Sequence, residues 1–294
     1  MTATKSQKRS RVAKEIAVKV IKKMSHKQDG YLHGYTATEH NRLYHQARFL
    51  EDHVFAGVDF SGCKNIIEIG SGVGAQTEIL HNRFPKLKIA CIDSSREQVT
   101  KARAQLAGPI GKGLVSVTQT DARSLPFQKG SFEGAFITWF LEHVSNPVGI
   151  LKETKRVMAI NAVIHINEVF NHSFFTDPFG PATQEYWNAF NEHQSSLKGD
   201  PFVGAKLGNY LQKAGFKDIS TNFSYWLLDS RHPKFRAEFL SYWIDLLLSG
   251  SAELVKSKKV SKKLVLKMTA ELNSLRKNPD SVFFLGFVKA VAYV

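Results

Sequence analysis

An apolar run, Asn65–Ile69, breaks into three glycines on alternate positions, Gly70, Gly72 and Gly74, and helical sequence follows. Few arrangements satisfy that pattern. A buried strand must end, turn tightly and feed a helix, and the glycines let the backbone approach a ligand where a Cβ would clash. A second apolar segment, Lys88–Ile92, delivers Asp93 at its end, and a third, Leu114–Gln119, leads to Asp121. A carboxylate in the first position can take both hydroxyls of a ribose. One in the second can accept from an adenine amino group. Three consecutive strand ends are thus expected to converge on one adenosine-shaped pocket.

The glycine turn by itself equally fits a dinucleotide fingerprint, which also places an acid about 20 residues further on. Two features favour another reading. Glu68 sits inside the strand, where a carboxylate must be paired or must hold a cation such as an amino group. Asp121 heads the segment Asp-Ala-Arg-Ser-Leu-Pro-Phe, which a nicotinamide cofactor does not explain. With these residues the chain resembles class I S-adenosylmethionine-dependent methyltransferases. The resemblance makes Glu68–Gly74 their first motif, Asp93 their ribose acid and Asp121 their adenine residue. It implies S-adenosylmethionine as cofactor and S-adenosylhomocysteine as product, with Ser71, Ser94, Ala122, Arg123 and Trp139 also at the cofactor.

A second block, Gly30-Tyr31-Leu32-His33-Gly34-Tyr35-Thr36 followed by Glu39, Arg42, Leu43 and Gln46, is similar to the segment preceding the core in a subset of small-molecule methyltransferases. Arg42 and Gln46 share a helical face. An Arg fork suits the cofactor's carboxylate, Gln46 an adjacent polar atom, and Tyr31 and Tyr35 a cover over the sulfonium. Internal pairing of that face is the plainer alternative. The departure from the family lies at Ala159–Asn161, where many relatives carry Lys-Pro-Gly-Gly. Asn161 can adopt the left-handed conformation such a turn needs.

The rest of the chain alternates regularly. Helices are expected over Gln76–Arg83, from the N-cap Ser95 to Leu106, and over Pro147–Met158 with Asn146 as N-cap. Gly108–Gly113 reads as a loop. Further strands are expected at Glu133–Phe140, Ala162–Glu168, Ser220–Leu227 and Val282–Tyr293, and a helix over Gly204–Ala214 ends at Gly215. Late helices are placed at about Lys234–Leu248 and Ala252–Lys277. The expected fold is α/β: a doubly wound, Rossmann-like seven-stranded sheet, its last strand antiparallel, with an N-terminal helical cap and helical lid insertions. The division is a basic extension over 1–29, the cap over 30–60, and the methyltransferase domain over 61–294, with insertions at about 169–204 and 230–279. The first insertion is rich in aromatics, among them Phe170, Phe174, Phe175, Phe179, Tyr186, Trp187, Phe190 and Phe202.

Charge narrows the partner. The net +14 is concentrated in residues 1–30, at +7, and residues 254–270, at +6, which leaves +1 for everything else. A nucleic-acid enzyme normally lines its groove with positive charge, so a small, partly apolar or aromatic acceptor is expected. An RNA or protein methyltransferase guided by the basic appendages is the alternative, and a non-catalytic cofactor-binding module a third. The basic N-terminus fits a transit peptide, a membrane-surface helix or a solvated extension. No run of 18 apolar residues suggests a membrane span. Two cysteines and 11 scattered histidines suggest neither disulfides nor a metal site, and a cytoplasmic location is expected. His143, at the end of the fourth strand, is the candidate general base. His33 and His165 are weaker candidates.

Overall fold

The computed structural model describes residues 37–294, with side chains from residue 42 onward. The basic extension, Tyr31, His33, Tyr35 and the Glu39 side chain lie outside the described residues. Strands β1 (Asn65–Ile69), β2 (Lys88–Asp93), β3 (Val115–Gln119), β4 (Phe132–Thr138) and β5 (Met158–Val169) pair in parallel in the order β3-β2-β1-β4-β5. The last strand, β8 (Val282–Tyr293), enters antiparallel beside β5, and β7 (Lys217–Leu228) covers its other edge. The seven expected strands are present. An eighth, the three-residue β6 (Phe175–Asp177), adds to β8 beyond the end of β5.

Alternation along the strands sorts the core onto two faces. Ile66 and Phe136 pack on one side, and Ile67, Ile69, Ala135 and Ile137 on the other, all essentially without exposure. Glu68 shares the parity of Ile66 and is carried into the same buried layer. Helices α1 (Ala37–Phe49), α2 (Glu51–Phe55), α3 (Ala75–Arg83), α4 (Arg96–Gln105), the single turn α5 (Ala107–Gly111), and α6 (Pro147–Val157) accompany the first five strands. Ser95 caps α4 by accepting from Gln98 N at 3.3 Å, and Asn146 caps α6 by accepting from Gly149 N at 3.0 Å. Asn161 has φ 64°, the left-handed conformation expected of it.

The remaining helices, α7 (Pro181–Ser196), α8 (Leu207–Ala214), α9 (Pro233–Lys256) and α10 (Lys262–Lys277), come from the second half of the chain. Several boundaries differ from expectation: β5 begins at Met158, four residues early, so that Ala159–Asn161 lie within the strand, and β7 begins at Lys217. Residues 107–111 form a helical turn instead of a loop. The break between the last two helices falls at residues 257–261, not 249–251: Gly250 is buried inside α9, and Ser261 caps α10 by accepting from Leu264 N at 3.0 Å. The fourth strand ends at Thr138, because Trp139 turns out of it with φ 49°. Leu264, Met268, Leu272 and Leu275 form the buried stripe of α10 and leave its lysines in solvent.

Candidate active site

The glycine turn is strapped to the end of β2. Gly70 N and Ser71 N both donate to Ile92 O, at 2.9 and 3.0 Å. Gly70, Gly72 and Gly74 have φ of 73°, 55° and 81°, where a side chain is disfavoured. Their surroundings differ. A Cβ on Gly70 would lie 2.3 Å from the Phe140 ring, and one on Gly74 2.7 Å from Leu106, so these two glycines permit close packing. A Cβ on Gly72 would meet nothing within 4 Å and would project into open space. Gly74 heads α3 and does not line the cavity, which corrects the expectation that it contacts ligand.

Asp93 is aimed by the backbone. Gly72 N donates to its Oδ2 at 3.0 Å and Ser95 N to its Oδ1 at 2.8 Å. Burial raises its pKa, while these N–H groups oppose the shift. Asp121 lies at the end of the neighbouring strand, gripped by the Arg123 guanidinium through contacts of 2.6 to 3.0 Å. Glu68 takes a different role from the one expected. Its Oε2 accepts from Thr77 Oγ1 at 2.6 Å, with Cys91 Sγ at 3.9 Å, and the residue is not among those lining the cavity. Burial lifts its pKa to about 7, and the two side-chain hydrogen bonds only partly offset this. It ties β1 to α3 beneath the turn instead of facing a cofactor amino group.

Beyond β4 the chain makes a short 3-10 turn, Leu141–His143, built on a buried carboxylate. Glu168 Oε1 accepts from Phe140 N at 3.0 Å and from Leu141 N at 2.7 Å, and Oε2 accepts from Glu142 N at 3.4 Å. From α7, Gln194 Nε2 donates to Glu142 Oε2 at 2.7 Å, and the His143 ring lies 3.7 Å from Glu142 Oε1. His165 is remote from this turn. It sits edge-on to Phe60 with Nε2 3.3 Å from Asp59 O, and burial lowers its pKa.

These elements surround one continuous cavity of about 870 Å³. Of the residues singled out from sequence, Arg42, Gln46, Gly70, Ser71, Gly72, Asp93, Ser94, Asp121, Ala122, Arg123, Trp139 and His143 line it. Helix α1 contributes Arg42, Leu43, Gln46 and Ala47 to its wall. Arg48 pairs with Glu78 on α3 at 2.8 Å, and Phe49 packs against Phe235, Phe239 and Tyr242 on α9. Ahead of these anchors on the same helix, Arg42 Nη1 donates to Gln46 Oε1 at 2.5 Å.

The far end of the cavity is aromatic. Trp187 and Phe190 of α7, Trp226 of β7, Trp243 of α9 and Phe287 of β8 line it, with ring centroids about one ring apart: Trp187–Trp243 5.2 Å, Trp187–Phe190 5.3 Å, Trp226–Phe287 4.8 Å. Within the aromatic-rich insertion, then, Trp187 and Phe190 reach the cavity. Tyr186 is spent on a hydrogen bond to Leu247 O at 2.6 Å, and Phe175 and Phe179 face solvent. Gln194, Trp226 and Trp243 went unmarked in the sequence, although a lone tryptophan in an edge strand was a usable signal. Among the described residues no cluster of His, Cys, Asp and Glu could hold a metal ion, and no helix is long and apolar enough to cross a membrane.

Comparison with known proteins agrees with this geometry. The family profile described as "Methyltransferase domain" matches residues 67–166, from within β1 to within β5. The methyltransferase str3 of Strobilurus tenacellus is 25% identical over 177 residues, 60% of each chain. The O-methyltransferase cnsE of Penicillium expansum is 29% identical over 157 residues, 53% of each. The chain thus spans little more than half the length of the curated relatives it matches. Among solved structures, phosphoethanolamine N-methyltransferase 2 of Haemonchus contortus superposes with a TM-score of 0.53 at 15% identity, over 84% of this chain and 52% of that one. Residues 67–166 match the methyltransferase-domain family, and the chain around them has the Rossmann-like fold of solved methyltransferases.

Proposed function

We propose that this chain transfers the methyl group of S-adenosylmethionine to a small, largely apolar acceptor, releasing S-adenosylhomocysteine. The observation that carries the reading is the continuous cavity, with Gly72, Asp93 and Asp121 at one end and Trp187, Trp226 and Trp243 at the other. The residues fit the cofactor. Gly72 offers a cradle that a Cβ would fill, and Asp93 is an oriented acceptor pair suited to ribose hydroxyls. Asp121 and Ala122 would take the adenine, and Arg42 and Gln46 the amino-acid carboxylate.

When bound, the cofactor supplies a methyl group on a positively charged sulfur. The protein then has to align the acceptor in line with it and exclude water. Trp139 and Phe140, on the turn held by Glu168, would divide the cofactor end from the acceptor end. Where the accepting atom keeps its proton near neutral pH, His143 would remove it, steadied by Glu142. A small molecule is favoured over nucleic acid because the aromatic end presents no lysine or arginine. A cytoplasmic setting is supported by two free cysteines.

Isothermal calorimetry with S-adenosylhomocysteine tests the reading directly, with micromolar binding expected. Absence of binding beside clear NADH binding would overturn it. Labelled S-adenosylmethionine added to a metabolite extract would then identify what gains the methyl group.

A further inference from the structure

We infer that the acceptor is a neutral, flat aromatic compound carrying neither a phosphate nor an ammonium group. The inference rests on the methyltransferase reading only in calling this ligand the acceptor. Every side chain that α7, β7, α9 and β8 contribute to the cavity is aliphatic, aromatic or an amide. All four tryptophans of the chain, Trp139, Trp187, Trp226 and Trp243, line the same space. Trp187 and Phe190 lie nearly parallel, at 17°, and a flat ring system packs well against flat walls.

A phosphate entering this chamber would shed its water without gaining a cation. Arg123 is engaged by Asp121 at the other end of the cavity, and Arg42, on α1 beside Gln46, is assigned to the cofactor's carboxylate. An ammonium fares little better. Aromatic faces attract cations, but the carboxylate of Glu142 already has Gln194 Nε2 at 2.7 Å and the His143 ring at 3.7 Å. A cation seeking that carboxylate must compete with both. Burying an unpaired charge costs far more than burying a hydroxyl, so the chamber selects against charge more strongly than it selects for shape.

The test uses three probes of one shape: 1-naphthol, 1-naphthyl phosphate and 1-naphthylmethylammonium, titrated into the full chain by calorimetry. Naphthol is expected to bind, and each charged analogue to bind at least about tenfold more weakly. Smaller discrimination, a preference for either charged probe, or no naphthol binding overturns the inference. Leu246, half-buried on α9 and lining the chamber, locates the site. Leu246→Arg, with its fold verified by circular dichroism, should lose naphthol and gain the phosphate. Unchanged naphthol binding in that variant also overturns the proposal. S-adenosylhomocysteine titrated in parallel separates the two readings. Its failure to bind would end the methyltransferase assignment while the naphthol series still judged the chamber.

Discussion

The carboxylate of Glu168, wholly buried in β5, accepts the main-chain N–H of Leu141 at 2.7 Å and so fixes the turn that carries Phe140, Glu142 and His143. A carboxylate with no basic side chain beside it is an expensive anchor. Burial and the neighbouring Glu142 raise its pKa well above the carboxylate range, while three backbone N–H groups oppose the shift. Glu168→Ala would leave those donors unpaired in the core and should lower stability by about 3 kcal/mol. Glu168→Gln retains one acceptor oxygen and should cost about 1 kcal/mol. Urea unfolding distinguishes the two, and equal losses would show that the turn does not depend on the acceptors.

The Glu68 carboxyl makes stability depend on pH with a definite sign. Its folded pKa is raised to about 7 from an ordinary 4.5, so the folded state keeps this proton over a range where the unfolded chain has lost it. The stabilising contribution is full below pH 4.5 and disappears as pH rises through 7. Glu68→Gln keeps an acceptor for Thr77 without a charge to desolvate. Relative to that variant, the wild type should lose about 3 kcal/mol between pH 4.5 and 7 and no more above it. A difference independent of pH would mean that the carboxyl is ionised throughout.

How much of the fold is legible in the sequence depends on the range of the interactions that form it. Asn65–Ile69 and Val282–Tyr293 were legible to the residue, because an apolar run bounded by turn residues is a local signal. The caps at Ser95 and Asn146 were legible for the same reason. Gly250 misled: in isolation it marks a helix end, but in the folded chain α9 continues through it as a buried residue. The tilt of Trp139 out of β4 and the burial of Glu68 under Thr77 depend on neighbours from other strands and helices. Local sequence carries no trace of those. The acceptor chamber is less legible still, since Trp187, Trp226, Trp243 and Phe287 meet only after α7, β7, α9 and β8 assemble.

Asp93 and Arg42 should separate in a binding test. Asp93 faces the cradle beside Gly72, so Asp93→Ala should weaken both adenosine and S-adenosylhomocysteine, each by about 2 kcal/mol, or roughly 30-fold. Arg42 lies on α1 with Gln46 and is assigned to the amino-acid end, which adenosine lacks. Arg42→Ala should therefore weaken S-adenosylhomocysteine by about tenfold and leave adenosine unchanged. Calorimetry with both ligands on both variants decides. Parallel losses in Arg42→Ala would point to a general disturbance of α1 in place of a lost carboxylate contact.

The glycine turn packs against the residues that follow the fourth strand at Gly70, where a Cβ would fall 2.3 Å from Phe140 Cδ2. Two costs are therefore expected for Gly70→Ala. The left-handed backbone, φ 73°, contributes about 1 kcal/mol whatever the surroundings. Collision with the Phe140 ring contributes about 2 kcal/mol more, because a ring packed on the turn has little room to yield. Only the second cost involves Phe140. In a Phe140→Ala background the Gly70→Ala change should thus cost about 1 kcal/mol, a coupling of about 2 kcal/mol in a double-mutant cycle. Additive losses would mean that the ring moves aside freely. The turn and the strand end would then be mechanically independent, and the wall between the two ends of the cavity would owe its position to Glu168 alone.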